Sequence, residues 1–476
     1  MTTLWTGQEL IAATGGRAEG AVAAAIGGVS IDTRSLSPGD VFFAIRGDVH
    51  DGHTFVAEAF RRQAAAAVVD EAHAGEMAGL GPLIVVPDVL CALENAGRAA
   101  RVRSRAGVVA ITGSVGKTGT KEALRLALAD QGTVHASAAS YNNHWGVPLS
   151  LARMPAGTDF GIFEIGMSAS GEIVQLTGMV RPDVAVVTTV APVHLEFFPS
   201  VTAIADAKGE IFMGLEPGGA AVINRDIAEF ERLRAHAAAS PAGRIVTFGE
   251  HEQADVRAKR ILSRAECTVV EADVFGTPAV YRIGSPGRHI AVNSLAVLAT
   301  AKLLGADLAL AALALGQLSP PVGRGERTRL QVPGGEVVLI DESYNANPAS
   351  MLAALAALGQ TDIGFRGRRI AVLADMLELG PESERLHAGL ASAIEENAID
   401  LVFAAGPAMQ ALWHVLPPMV RGAHTQAPDG LEGPVLASLR AGDVIMVKGS
   451  NGTRISRLVT FLKNRFADAA PAAVRA

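Results

Sequence analysis

The stretch VVAITGSVGKTGTKE, Val108 to Glu122, restricts what this chain folds into more than any other. Apolar, β-branched residues run into a turn carrying Gly113 and Gly116, and a helical pattern starts at Lys117, so the order is strand, loop, helix. That order belongs to a parallel α/β sheet, where such a loop turns its backbone N–H groups on an anion. Here Gly113, Ser114, Val115, Gly116 and Gly119 would line a polyphosphate lying at the positive end of the following helix. Lys117 is long enough to reach its β- and γ-phosphates, and the Thr118 hydroxyl suits Mg²⁺. The full phosphate-loop pattern would need glycine at position 111, where this chain has Ile111. The loop implies ATP or GTP and leaves the reaction open.

The same alternation continues along the chain. VVAIT, FGIFEIG, DVAVVTTV and AAVIN are short apolar runs separated by helical segments, which indicates a parallel sheet with crossover helices over residues 106–320. Between Gly249 and Arg288 polar and apolar residues alternate, as in a small antiparallel insertion. The apolar run from Ser294 to Leu318 contains Lys302 and Asp307 and reads as buried helices rather than a membrane span. Pro320 and Pro321 break the pattern. A third α/β block, 321–476, follows with EVVLIDES, RRIAVLAD, DLVFAAG and DVIMVKGS as strands. Ahead of the loop, VAAAIGGVSIDTR and DVFFAIRG belong to a smaller α/β unit, 1–105, ending in the arginine-rich helical stretch AGRAARVRSRAG as a linker. Three blocks agree with 476 residues at roughly 150 per domain.

Composition narrows the partners. Hydrophobic residues make up 49% and charged ones 19%, so the chain can bury ample apolar surface. A net charge of -7 argues against broad binding to nucleic acid and leaves room for a local cationic pocket that takes an anionic metabolite. Cys91 and Cys267 are too few for a disulfide framework or a structural zinc site, in keeping with a reducing compartment. The start, MTTLWTGQEL, lacks a basic region followed by an apolar core. The expectation is a cytoplasmic monomer with no membrane insertion.

A family resemblance enters with the shorter loop form T-G-x-x-G-K-T. Six further strings follow in order: YNNHWGVPLSL, FEIGMSASGEI, VAPVHLEFF, IADAKGEIF, HIAVNSLAVLA and DESYNANPASMLAAL. Together they resemble the Mur ligases, the ATP-dependent amide-forming enzymes of bacterial cell-wall synthesis. Within that family they look like the branch that adds D-alanyl-D-alanine to a UDP-N-acetylmuramoyl-tripeptide. The resemblance covers almost the whole chain and implies a three-domain architecture: a UDP-sugar-docking unit, a central phosphate-loop ATPase domain, and a Rossmann-like C-terminal domain that closes on ATP and binds the incoming dipeptide.

It also implies roles for single residues. Glu164 ends an apolar strand beside the loop, where a carboxylate suits Mg²⁺, although a strand-end glutamate is also commonly just solvated. His194 matches a ligand of a second Mg²⁺; a lone histidine is otherwise more often structural. Lys208 matches a lysine that CO₂ carbamylates, turning a cation into an anion that helps hold Mg²⁺, against the plain alternative of a helix-surface lysine. Asn293 matches an adenine-contacting asparagine and fits a helix N-cap equally well. Arg324 matches a linker arginine that reaches the γ-phosphate, with Arg327 near enough to leave the choice open. Asp341 resembles an acidic residue that meets ATP on closure. In SIDTRSLSPGDVFFAIRGDVHDGH, the residues Ser30, Asp32, Arg34 and Arg46 match the uridine-diphosphate docking region, and Asn142 and Asn143 lie in a substrate-binding string.

The implied reaction is acyl activation: ATP phosphorylates the peptide's terminal carboxylate, and the amine of D-alanyl-D-alanine displaces phosphate. Three rivals are a ligase adding the third peptide residue, folylpolyglutamate synthase, and a non-enzymatic phosphate-loop regulator. The diaminopimelate-adding version carries D-N-P-R, where this chain has YNANP at Tyr344 to Pro348.

Overall fold

A computed structural model describes residues 3–467 except 48, 139, 194 and 265. Its backbone is organised around three main sheets. The largest has nine strands, in the order Thr277–Ile283, Thr268–Val274, Val256–Ser263, Arg244–Gly249, Ala220–Asn224, Val184–Val187, Gly107–Thr112, Phe160–Glu164 and Val134–Ala136. The pairings from Val134–Ala136 through Val256–Ser263 are parallel, and the last two are antiparallel hairpins. Those hairpins are the alternating segment expected between Gly249 and Arg288. They extend the central sheet rather than standing apart from it.

Both faces of this sheet are covered, which is why its strands read as unbroken apolar runs. Helices Lys117–Ala129, Arg288–Leu303 and Leu308–Ala314 pack on one face, where Leu124, Leu128, Leu295 and Leu298 are fully buried with Ile111 and Val186. Helices Gly146–Ala152, Glu172–Val180, Val201–Gly209 and Phe230–Ala238 cover the other, with Phe163, Ile204 and Phe212 at its centre. The apolar run from Ser294 thus spends itself on helix packing. No helix among the described residues is long and apolar enough to cross a membrane.

The first sheet has five strands, ordered Arg17–Glu19, Leu83–Val86, Ala66–Asp70, Asp40–Phe43 and Gly28–Ser30, all parallel except the first. The third has six, ordered Glu326–Val332, Gly335–Glu342, Val444–Lys448, Arg369–Ala374, Leu401–Ala405 and Arg421–Thr425, again parallel apart from the first. In each case the antiparallel strand lies at an edge.

The arginine-rich stretch expected to act as a linker does more than connect. It is the second half of helix Val89–Arg103, and its side chains fasten the first unit to the central one. Arg101 donates from Nε to the Val180 carbonyl at 2.9 Å and from Nη2 to that of Arg181 at 2.8 Å. The Arg103 guanidinium lies 3.5 Å from the centre of the Trp5 ring, whose Nε1 donates to the Ala152 carbonyl at 2.8 Å. Arg153 Nε donates to the Val29 carbonyl at 2.6 Å. These groups are partly buried, so each is worth more than a surface ion pair.

Candidate active site

Parallel sheets gather their functional loops at the carboxyl ends of the strands. Here Gly107–Thr112 lies between Phe160–Glu164 and Val184–Val187, so the loop after Thr112, the carboxylate of Glu164 and the segment after Val187 converge. The loop turns as glycine permits: Gly113 has φ 154° and Gly116 φ 87°. A Cβ at Gly113 would collide with Thr188 Oγ1, and one at Gly116 with the Asn293 amide. Neither position has room for a side chain.

The loop is pinned from below. Thr188 Oγ1 donates to the Val115 carbonyl at 2.6 Å, and Ser114 N donates to the Thr189 carbonyl at 2.9 Å. Ser114 Oγ accepts from Ala191 N at 2.9 Å, and Asn224 Nδ2 donates to the Thr188 carbonyl at 2.9 Å. Thr188 and Asn224 were not singled out in the sequence. Their only signal there is position, one just past an apolar strand and the other at the end of one.

Glu164 is 1% exposed and meets two donors: Thr118 Oγ1 at 2.8 Å on Oε2 and Asn142 Nδ2 at 2.6 Å on Oε1. The strand-end glutamate is therefore held in place, not solvated. Lys117 Nζ folds back onto the Gly113 carbonyl at 2.6 Å. Burial pushes its pKa below the ordinary lysine value, Glu164 opposes that shift, and Arg324 adds to it.

Lys208 is the least expected member. It stands in the last turn of helix Val201–Gly209 and is 2% exposed, which rules out a helix-surface lysine. Burial, with the Lys117 cation nearby, drives its pKa well down. No carboxylate or carbonyl among the described residues accepts from its amine. His194 lies outside the described residues.

A cavity of about 1580 Å³ opens over these groups, bounded by the central and third sheets. Asn293 lines it beside Gly116. It sits inside helix Arg288–Leu303, whose N-cap is Gly287, so the N-cap alternative for Asn293 does not hold. Arg324 and Arg327 both line the cavity and differ in freedom. Arg324 lies over the Tyr344 ring, 4.2 Å from its centre, whereas Arg327 Nη2 is tied to Thr361 Oγ1 at 3.1 Å. From the third block, Lys448 Nζ donates to Glu342 Oε2 at 3.2 Å and to the Asn345 carbonyl at 3.0 Å. Burial lowers the pKa of His289, from the central block, below its ordinary value, with Glu342 opposing that shift and Lys448 adding to it. Hydrogen bonds cross between the blocks: Tyr344 Oη donates to Ser140 Oγ at 2.6 Å, and Glu196 N to the Glu378 carbonyl at 3.3 Å.

Other candidates stand apart from this cavity. Asp341 is 3% exposed and accepts from the Ser343 hydroxyl at 2.5 Å and the Ser343 N–H at 3.0 Å, with Glu342 rather than Asp341 facing the cavity. Ser30 ends the first sheet's edge strand Gly28–Ser30, Asp32 and Arg34 follow it, and Arg46 follows the neighbouring strand Asp40–Phe43. Ser30 Oγ donates to the Asp32 carbonyl at 2.9 Å, and Asp32 holds Arg34 through a two-pronged pair with a shorter arm of 2.6 Å. Arg46 bridges to Asp51 through the backbone. Asn142 and Asn143 do line the cavity, the second while accepting from Gly146 N at 2.9 Å at the start of a helix.

Comparison with known proteins adds to this geometry. Residues 25–98 match the Mur ligase family catalytic domain, 111–301 the Mur ligase middle domain, and 323–451 the Mur ligase glutamate ligase domain. The UDP-N-acetylmuramoyl-tripeptide--D-alanyl-D-alanine ligase of Rickettsia prowazekii (strain Madrid E) is 31% identical over 435 residues, 91% of this chain and 94% of that protein. A crystal structure of MurF from Acinetobacter baumannii superposes with a TM-score of 0.84 at 27% identity, covering 97% of this chain and 99% of that one. A crystal structure of MurF ligase from Thermotoga maritima in complex with ADP gives 0.76 at 26% identity, covering 93% and 98%.

Proposed function

The chain belongs to the Mur ligase family, and from that premise we infer that it joins D-alanyl-D-alanine to UDP-N-acetylmuramoyl-tripeptide at the expense of ATP. The observation that carries this reading is the linked set Thr118, Glu164 and Asn142 beneath a glycine loop, in a cavity that the third block helps to enclose. A nucleotide-switched regulator needs the loop but not a cavity of this size lined by Lys117, Lys208 and Lys448.

The nucleotide lies along residues 113–119, with Asn293 against its base side. Lys117 leaves the Gly113 carbonyl for the γ-phosphate, and Arg324 meets the same group from the linker. Thr118 and Glu164 offer hard oxygen donors that fit one Mg²⁺, and His194 is assigned as a ligand of a second. When bound, Mg²⁺ neutralises phosphate oxygens and favours charge developing on the transferring phosphoryl group. Lys208 is assigned as a carbamate: burial, with the Lys117 cation nearby, favours the neutral amine, whose lone pair attacks the carbon of CO₂; the nitrogen gives one proton to solvent, and the product is an anion beside Lys117.

Chemistry then runs in two displacements. A carboxylate oxygen of the tripeptide attacks the γ-phosphorus, the bond to the β-bridging oxygen breaks, and ADP leaves. The dipeptide amine attacks the acyl phosphate carbonyl, loses a proton, and expels inorganic phosphate. The protein contributes position and charge, and the third block excludes water from the acyl phosphate. Asp341 is assigned to closure, and Ser30, Asp32, Arg34 and Arg46 to docking the uridine diphosphate. We place the enzyme in the cytoplasm as a monomer whose three working units are 1–105, 106–320 and 321–476.

The test is phosphate release over a panel of UDP-muramoyl peptides and amines. Turnover requires both the tripeptide nucleotide and D-alanyl-D-alanine; phosphate release indifferent to the amine would leave only the regulator.

A further inference from the structure

Helix Lys117–Ala129 buries one face, on which Leu124 and Leu128 are fully covered. Lys121, one and two turns before them, lies on that same face and is itself 0% exposed. An apolar residue there would escape the cost of taking a lysine out of water, and a buried ion pair is weak support for stability. The benefit lies in what the amine holds. Lys121 Nζ donates to the Ser137 carbonyl at 2.7 Å and pairs with Glu122 Oε1 at 3.1 Å.

Ser137 opens the loop that runs from strand Val134–Ala136 to helix Gly146–Ala152, and that loop brackets Glu164. At its near end Ser137 N donates to the Ile162 carbonyl at 3.0 Å, and Ser137 Oγ accepts from Glu164 N at 3.4 Å. Toward its far end Asn142 Nδ2 donates to Glu164 Oε1 at 2.6 Å, while the Asn142 carbonyl accepts from Gly166 N at 2.7 Å. One turn back from Lys121, Thr118 Oγ1 donates to the other carboxylate oxygen, Oε2, at 2.8 Å. A single helix therefore acts on Glu164 by two routes, directly through Thr118 and by way of the loop through Lys121.

We propose that Lys121 is a positioning residue for the metal-binding pair, fixing the loop of Ser137 and Asn142 so that Glu164 keeps one carboxylate oxygen on Asn142 and turns the other toward Thr118 and the ion. Fully buried and outside the cavity lining, it acts through the loop and not on the nucleotide. Outer groups of this kind hold the direct ligands in the orientation a metal needs, and their loss costs about 10–100-fold in metal affinity. The inference rests on the assignment of Thr118 and Glu164 to the ion under the proposed function.

The experiment measures binding of Mn²⁺, which shares the oxygen ligands of Mg²⁺, to the full chain with an ATP analogue carrying an imido bridge between its β- and γ-phosphates. Electron paramagnetic resonance reads the free ion, and the nucleotide alone is the blank. Lys121→Met, which keeps the apolar stem and removes the donor, should weaken Mn²⁺ binding about 10–100-fold. Lys121→Gln, whose donor ends one bond short of the lysine amine, should weaken it too and covers the case in which the methionine variant does not fold. The losses in Lys121→Met and Asn142→Ala should not multiply in the double variant, because both work through the same loop. Either Lys121 variant, folded by circular dichroism, that binds Mn²⁺ as wild type does and only melts lower overturns the proposal and leaves the ligase reading intact; losses that multiply do the same. A wild type that holds no Mn²⁺ beyond the blank overturns the metal assignment, and this inference with it.

Discussion

Thr118 and Glu164 are 46 residues apart in sequence and 2.8 Å apart in space, joined by a hydrogen bond from the threonine hydroxyl to a carboxylate that is almost wholly buried. The contact exists because the helix after strand Gly107–Thr112 begins beside the end of its parallel neighbour Phe160–Glu164. It brings two oxygens suited to Mg²⁺ together before any ion arrives, so little reorganisation remains for binding.

Lys117→Ala should abolish ligation and leave the fold intact. The lysine's only hydrogen bond among the described residues is to the Gly113 carbonyl, so its removal should cost at most about 1 kcal/mol of stability. Loss of a group aimed at developing phosphoryl charge should lower kcat by at least about 10²–10³. Phosphate release and thermal melting measure the two effects separately; near-normal turnover would remove the loop from the mechanism.

Lys208→Arg should be inactive although it keeps a positive charge, because arginine forms no carbamate. Lys208→Glu should retain slightly more activity by restoring an anion. Carbon-13 bicarbonate should give a carbamate resonance in wild type that is absent from both variants. An active arginine variant with an unmodified wild-type lysine would refute the assignment.

The two linker arginines should separate in assay. Among the described residues the Arg324 side chain is held only by an aromatic face, which leaves it able to reach phosphate, whereas Arg327 is committed to Thr361. Arg324→Ala should therefore lower kcat at least about tenfold more than Arg327→Ala, while Arg327→Ala should lower the melting temperature more. Reversal of the kcat order would hand the γ-phosphate to Arg327.

The contrast between these arginines shows how far the sequence could be read. The loop, Glu164 and the central parallel sheet were legible because each follows from local pattern: apolar run, turn glycines, then helix. Thr188, Asn224 and the Tyr344–Ser140 contact were not, since they depend on which strands become neighbours and on how the third block meets the second. Asn293 was ambiguous until the helix start was fixed at Arg288, which moved it from a cap to an interior position. The burial of Lys208 was invisible for the same reason, as AKGE alone does not reveal which face of its helix is covered.

Acid should destabilise the fold below neutrality. His135, His289 and His387 all have pKa values lowered by burial from the ordinary 6.5. The unfolded chain therefore takes up protons first as pH falls through 6.5, so stability is full above that value and declines below it. His387 shows the cost most directly: its Nε2 accepts from Met376 N at 2.9 Å, a bond that protonation breaks. Denaturant melts from pH 8 to pH 5 should show the decline, and His135→Asn should make it shallower. A flat profile over that range would contradict the three shifts.

Specificity for the incoming amine should be steep. D-alanyl-D-alanine should support turnover at least about a hundredfold better than single D-alanine, because losing a whole residue removes more contact than the one methylene that already costs 10–200-fold. The single residue leaves part of its site empty and its carboxylate displaced, so the amine is no longer held in line with the acyl phosphate. L-alanyl-L-alanine should fail too, as inverted centres turn the methyl groups toward the wall. The third block is where this choice should be made. Its residues Asn345, Ala346, Asn347, Ala349 and Ser350 line the cavity, and Lys448, anchored on Glu342 and the Asn345 carbonyl, gives that end a buried cation suited to a carboxylate. Lys448→Met should accordingly raise KM for the dipeptide more than KM for ATP, read from initial rates with each varied in turn. If UDP-muramoyl-dipeptide with a free diamino acid supported turnover and the tripeptide with D-alanyl-D-alanine did not, the enzyme would instead add the third residue.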